Sequence, residues 1–143
     1  LNWDPHINNQ VAKASAMISS LYPMFCRNSK LSTDNKLLLY KSTIRPMMTY
    51  ASPVWAYSGK TKKMQVLQNK VLRQAVNAPW YIRNKTLHKD LRLPTIDEFT
   101  EKAAANFAAS LTAHPNPTLA TVWSYDTEDY RRYKRPKIAL EKE

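Results

Sequence analysis

Glycine is nearly missing from this chain: Gly59 is the only one in 143 residues. A phosphate-cradling loop, a dinucleotide fingerprint and a nucleophile elbow each need several glycines, where backbone must approach a ligand closely or take a positive φ. None of the three can be built here. Tight hairpin turns lean on glycine as well, so its scarcity beside nine prolines favours helices over sheet. The single cysteine, Cys26, excludes an internal disulfide and a multi-cysteine zinc site, and fits a reducing compartment. Three histidines, His6, His88 and His114, stand in separate segments without ligand spacing, so no metal site is expected. No apolar run approaches the roughly 18 residues of a membrane span, and no signal-peptide pattern opens the chain.

Acidic residues are scarce too. Eleven Asp and Glu face 22 Lys and Arg, for a net charge of +11. Such an excess points to a polyanionic partner, most often nucleic acid or an anionic membrane surface. The charge is concentrated: residues 58–92 hold nine basic residues and one acid, Asp90, whereas residues 93–143 hold seven basic and eight acidic.

Periodicity and punctuation predict an all-α fold, a bundle of about five to six helices with proline-broken connections and a charged C-terminal tail. Residues 1–123 would form the helical domain and 124–143 a polar tail. Asp4-Pro5 reads as a cap and first helical position, with Ile7, Val11, Ala14, Met17, Ile18 and Leu21 as the apolar stripe of a helix ending near Ser20. Ser32 or Thr33 caps the next helix, in which Leu37, Leu38, Tyr40, Ile44, Met47, Met48 and Val54 read as core, with a break or kink between Ile44 and Met47 at Pro46. Ser58-Gly59 makes a turn. Thr61 then caps a basic amphipathic helix to Asn77, with Met64, Leu67, Val71, Leu72 and Ala75 inside and Gln65, Gln68 and Gln74 among the outer residues. Asn84 caps a short helix to Leu91, with His88 outward. Thr95-Ile-Asp-Glu98 is a capping box opening a helix whose stripe is Ile96, Phe99, Ala103, Phe107 and Leu111. His114-Pro-Asn-Pro117 stops it, and a last short helix is expected over Thr118–Trp123.

No catalytic signature is present. Asp126, Glu128 and Asp129 sit in a polar run rather than on rigid strands, so a two-metal reading finds little support. Binding remains. The basic helix face carries no acid, where a merely solvated face mixes both signs. Lys62, Lys63, Lys70 and Arg73 on that helix, with Arg83, Lys85, Lys89 and Arg92 beyond it, become the candidate phosphate contacts, which need no sequence readout. Tyr57, Trp80 or Tyr81 could stack on bases, although Trp55 and Trp80, each beside a proline, read first as core anchors.

The chain also resembles the region that follows the catalytic core in the reverse transcriptases of jockey-type non-LTR retrotransposons. The resemblance rests on LNWDPHI at 1–7, LYPMFCRNSKLS at 21–32, LLLYKSTIRPMMTYASPVW at 37–55, LQNKVLRQAVNAPWYIRNKTLHKDLRLPTIDE at 67–98 and AHPNP at 113–117. One departure is Ala51, where such elements often have glycine after the TY pair. The resemblance implies a parent RNA-directed DNA polymerase using magnesium, with the palm and its catalytic aspartates upstream, working in the cytoplasm and nucleus. This segment would be the helical thumb, without catalytic residues, metal or cofactor of its own. Its expected partners are an RNA–DNA hybrid or DNA duplex, held without sequence preference, and the upstream palm; no membrane is expected. The competing readings are a helical protein–protein scaffold with a merely solubilising basic face, and a degenerate, non-functional retroelement remnant.

Overall fold

Four prolines sit in the first turn of a helical segment, where the missing N–H is no loss. Pro5 opens α1 (Asp4–Ser20), Pro23 opens α2 (Tyr22–Phe25), Pro46 opens α4 (Arg45–Met48) and Pro53 opens α5 (Ser52–Trp55). The remaining helices are α3 (Thr33–Leu39), α6 (Lys62–Val76), α7 (Asn84–Asp90) and α8 (Ile96–Thr112). These elements come from a computed structural model that describes residues 2–56, 61–116 and 118. Among the described residues all regular structure is helical, so the all-α expectation holds. The Ser58-Gly59 turn, Tyr57, most of the expected last helix and the charged tail lie outside the described residues.

The caps show which local readings were sound. Ser32 Oγ accepts the Asn35 N–H at 3.3 Å, and Thr95 and Glu98 form the reciprocal capping box. Three other expected caps fail. Asn84 is the first residue of α7 rather than its cap, with Arg83 at the cap position and no side-chain cap there. Asp4 is the first residue of α1 rather than its cap, and Asn2 Oδ1 accepts its N–H at 3.1 Å. Thr61 precedes α6 with helical backbone and makes no side-chain cap.

Pro46 stands at the start of α4, which follows α3 without an intervening loop. Between α3 and α4 the chain passes through a π-helical turn, Tyr40–Ile44, in which the Arg45 N–H reaches back to the Tyr40 carbonyl. That one-residue slip in the ladder comes just before the proline, whose ring would otherwise clash with the Ser42 carbonyl. Within the interval Ile44 to Met47, where a break or kink is expected, the helix changes from the π turn to α4 at Arg45.

The core is built from Ile7, Ala14 and Ile18 of α1, Phe25, Tyr40, Ile44, Met48, Trp55, and the α6 residues Met64, Val71 and Leu72. Leu38 and Val54, expected inside, are exposed, because the buried face of this stretch is narrower than its apolar run. In α8 the buried line is Ile96, Thr100, Ala104 and Ala108, spaced by four, while Phe107 is exposed. Small side chains let α8 approach closely, and Phe99 lies at the rim under the Arg45 guanidinium, 4.3 Å from the ring centroid. Lys36 is buried and donates from Nζ to the Cys26 carbonyl at 3.1 Å, satisfying an acceptor just past the end of α2.

Ala51 takes φ 56°, ψ 25°, the left-handed region immediately before α5. A Cβ there costs about 1 kcal/mol or more that glycine avoids. Ala51→Gly should therefore raise unfolding stability by about 1 kcal/mol, read from a denaturant melt.

Burial pushes the Tyr40 phenol up to about 12 from the ordinary 10. The Gln68 amide and Arg45 pull the other way, though no well-formed hydrogen bond reaches the hydroxyl. The fold therefore keeps the neutral phenol while the unfolded chain ionises. Stability from this group is complete below pH 10 and is lost as pH rises towards 12. Tyr40→Phe should remove that part of the alkaline loss and be near neutral at pH 7, as melts across pH 8 to about 12 would show.

Candidate nucleic-acid interface

The outer surface of α6 carries Lys62, Lys63, Val66 and Lys70, all exposed. Lys63 is drawn towards α1 by a 2.7 Å hydrogen bond to Asn8 Oδ1. The inner surface is not uniformly apolar. Gln68, expected on the polar side, is buried and donates from Nε2 to the Pro94 carbonyl at 3.0 Å. Gln65 Oε1 accepts the Ile96 N–H at 2.8 Å, and Gln65 Nε2 donates to Asn69 Oδ1 at 3.0 Å. His88, expected outside, is buried as well. Its Nδ1 donates to the Leu93 carbonyl at 3.0 Å, and Nε2 lies 2.9 Å from Asn69 Oδ1.

This amide–imidazole seam fastens α6 to α7 and to the start of α8. Above it opens a groove of about 510 Å³ walled by Lys85, Lys89 and Arg92, with Asn69 and Asn84 beside them and Glu98 at the rim. Glu98 is engaged in the capping box through the Thr95 N–H at 2.9 Å. Arg92 holds its place with φ 50°. Its N–H reaches the Lys89 carbonyl and that of Leu93 reaches His88, the double closure of a left-handed helix end. Glycine suits that position; here an arginine faces the groove instead.

The eight expected contact residues thus fall into three groups. Lys62, Lys63 and Lys70 share the outer surface of α6. Lys85, Lys89 and Arg92 share the groove, and exposed Arg83 precedes α7. Arg73 stands apart: Nη1 donates to the Pro79 carbonyl at 3.0 Å, and Nη2 donates to the Ile82 carbonyl and to Asn84 Oδ1, the latter at 2.8 Å. Its guanidinium is occupied in holding the α6–α7 connection. Trp55 is buried at 1 % exposure and Trp80 is 89 % exposed, so the core-anchor reading holds for the first and fails for the second. Among the described residues no group of three or more His, Cys, Asp and Glu could hold a metal ion. No helix among them is long and apolar enough to cross a membrane.

Comparison with known proteins gives the family. Over 118 residues the chain is 32% identical to a probable RNA-directed DNA polymerase from transposon X-element of Drosophila melanogaster, covering 81% of this chain and 13% of that protein. The RNA-directed DNA polymerase from mobile element jockey of Drosophila funebris matches at 32% over 118 residues, again 81% and 13%. Its Drosophila melanogaster counterpart matches at 29% over 140 residues, 94% of this chain and 15% of that protein. The chain is related to the polymerases of jockey-type non-LTR elements. It spans about an eighth of the length of the jockey-type polymerases it matches. No family model and no solved structure matches it.

What sequence reading of this jockey-type segment missed is the polar seam. Gln65, Gln68 and Asn69 stand at i, i+3 and i+4 beside the apolar stripe of α6, a spacing that puts them on one flank. That flank could have been read as an inter-helix boundary rather than solvent.

Proposed function

We propose that the chain is the helical thumb of a jockey-type RNA-directed DNA polymerase and holds template–primer nucleic acid through its basic surface, without catalytic residues of its own. The carrying observation is the groove that gathers Lys85, Lys89 and Arg92 beside α6, in a stretch of nine cations with Asp90 as sole acid. Cations held on short helices above a rigid seam suit phosphates spaced along a backbone, and such contacts position a duplex without reading its sequence. Lys62 and Lys70 on α6 extend the same surface, and Arg83 adds to it; Arg73 contributes by shaping the connection. The polymerase relatives support the nucleic-acid partner, RNA–DNA hybrid or DNA duplex, and a palm elsewhere in the parent protein would carry the magnesium and the chemistry. Copying an element's RNA would place the protein in the cytoplasm and nucleus.

The test is fluorescence anisotropy of a labelled RNA–DNA hybrid at several salt concentrations. Five to eight phosphate contacts predict log K falling against log salt with a slope of about −4 to −7. Negligible binding by the folded chain at low salt would favour the protein–protein scaffold.

A further inference from the structure

The α6–α7 connection is short, cation-flanked and oddly aromatic. Pro79 to Ile82 closes a turn, with the Ile82 N–H on the Pro79 carbonyl at 3.2 Å. Trp80 and Tyr81 are its two central residues, 89 % and 69 % exposed. Their rings meet edge to face, 6.0 Å between centroids at 82°. A tryptophan so fully in water buries almost none of its apolar area, so the fold gains nearly nothing from it.

The turn nevertheless is held firmly. Arg73 donates to the Pro79 and Ile82 carbonyls, at both ends of the turn, and to Asn84 beyond it. Upstream, Asn77 takes φ 52° and ends α6 with the Ala78 N–H on the Arg73 carbonyl at 3.0 Å. The same arginine thus braces the turn through side chain and main chain. A turn whose backbone is held in this way presents the two rings from a fixed position, which lowers the ordering cost of binding a flat ligand.

Charge selects which flat ligand. Arg83 and Lys85 follow the rings directly, Lys70 lies one turn before Arg73 on α6, and the nearest acid in sequence is Asp90. Aromatics among cations suit a nucleobase whose own backbone carries the phosphates. We propose that Trp80 and Tyr81 form a stacking platform for an unpaired base of the nucleic acid that the basic groove holds, a single-stranded extension next to the duplex. This rests on the nucleic-acid reading of the groove and adds a second, separable contact to it. Arg73 is the positioning residue.

The test compares the whole chain with W80A/Y81A and W80F/Y81F variants on three ligands: a blunt RNA–DNA hybrid, the same hybrid with a short unpaired extension, and one whose extension is abasic. The rings are exposed, so the fold should tolerate all these changes. Expected is a preference of the parent chain for the normal extension over both others, by roughly 5- to 100-fold. W80A/Y81A should lose that preference while binding the blunt hybrid unchanged, and W80F/Y81F should keep part of it. Binding also should quench tryptophan emission in the parent chain and not in W80F/Y81F. Equal binding of blunt and extended hybrids would overturn the platform and leave the groove reading intact. Absence of binding to any of the three ligands would overturn both.

Discussion

Changing Lys85, Lys89 and Arg92 together to glutamine should weaken binding of an RNA–DNA hybrid by on the order of 10²-fold at moderate salt. It should also flatten the salt dependence by about three units of slope, one for each phosphate contact removed. All three side chains are exposed at the groove wall, so the fold should change by less than about 0.5 kcal/mol. Arg73→Gln separates the two roles that a basic residue can have on this surface. Its guanidinium serves three acceptors of the α6–α7 connection. Losing them should destabilise the fold by about 1–3 kcal/mol and leave the salt slope nearly unchanged. A change in slope as large as that of a groove lysine would make Arg73 a phosphate contact after all.

Trp55→Ala should be among the most damaging single substitutions in the described core. The ring is 1 % exposed, donates from Nε1 to the Tyr50 carbonyl at 2.8 Å, and lies in α5, which packs on α8. Truncation removes the transfer energy, leaves a cavity and orphans the Tyr50 carbonyl, together about 3–5 kcal/mol. Against a usual total of about 5–15 kcal/mol, that is a large share, and a thermal melt should fall by roughly 10–20 °C. Trp80→Ala, in a ring 89 % exposed, should move the melt by no more than a few degrees. Equal effects at the two tryptophans would contradict their placement.

That pair shows how far the sequence could be read. Both tryptophans stand near a proline within an apolar-looking neighbourhood, and local pattern gives them one fate. Their difference is tertiary. Pro53 opens a helix whose far side meets α8, whereas Pro79 opens a turn whose Trp80 and Tyr81 stay exposed among the described residues. Signals that are local by nature came through, including the capping box at Thr95, the Ser32 cap, the stripe of α1 and the run of α6 from Lys62 to Val76. The all-α class followed from the shortage of glycine for the same reason.

The features that escaped depend on partners distant in sequence. Gln68 looked like a surface residue until Pro94 supplied its acceptor, and His88 until Leu93 and Asn69 enclosed its ring. The π turn before Pro46 is a cooperative answer to a clash that the sequence announces but does not resolve. In the candidate interface, the net charge and its location were readable from composition. The sorting of cations into outer face, groove and brace was not, because it depends on how α7 turns back onto α6.

Lysine reactivity would decide most directly whether this surface grips nucleic acid. The free chain and the chain saturated with an RNA–DNA hybrid would each be acetylated briefly and compared by mass spectrometry. Protection is expected at Lys62, Lys70, Lys85 and Lys89, with Lys13 on α1 and Lys102 on α8, both exposed, labelled as in the free chain. Protection spread over all of these lysines, or confined to Lys13 and Lys102, would contradict a grip through α6, α7 and their groove.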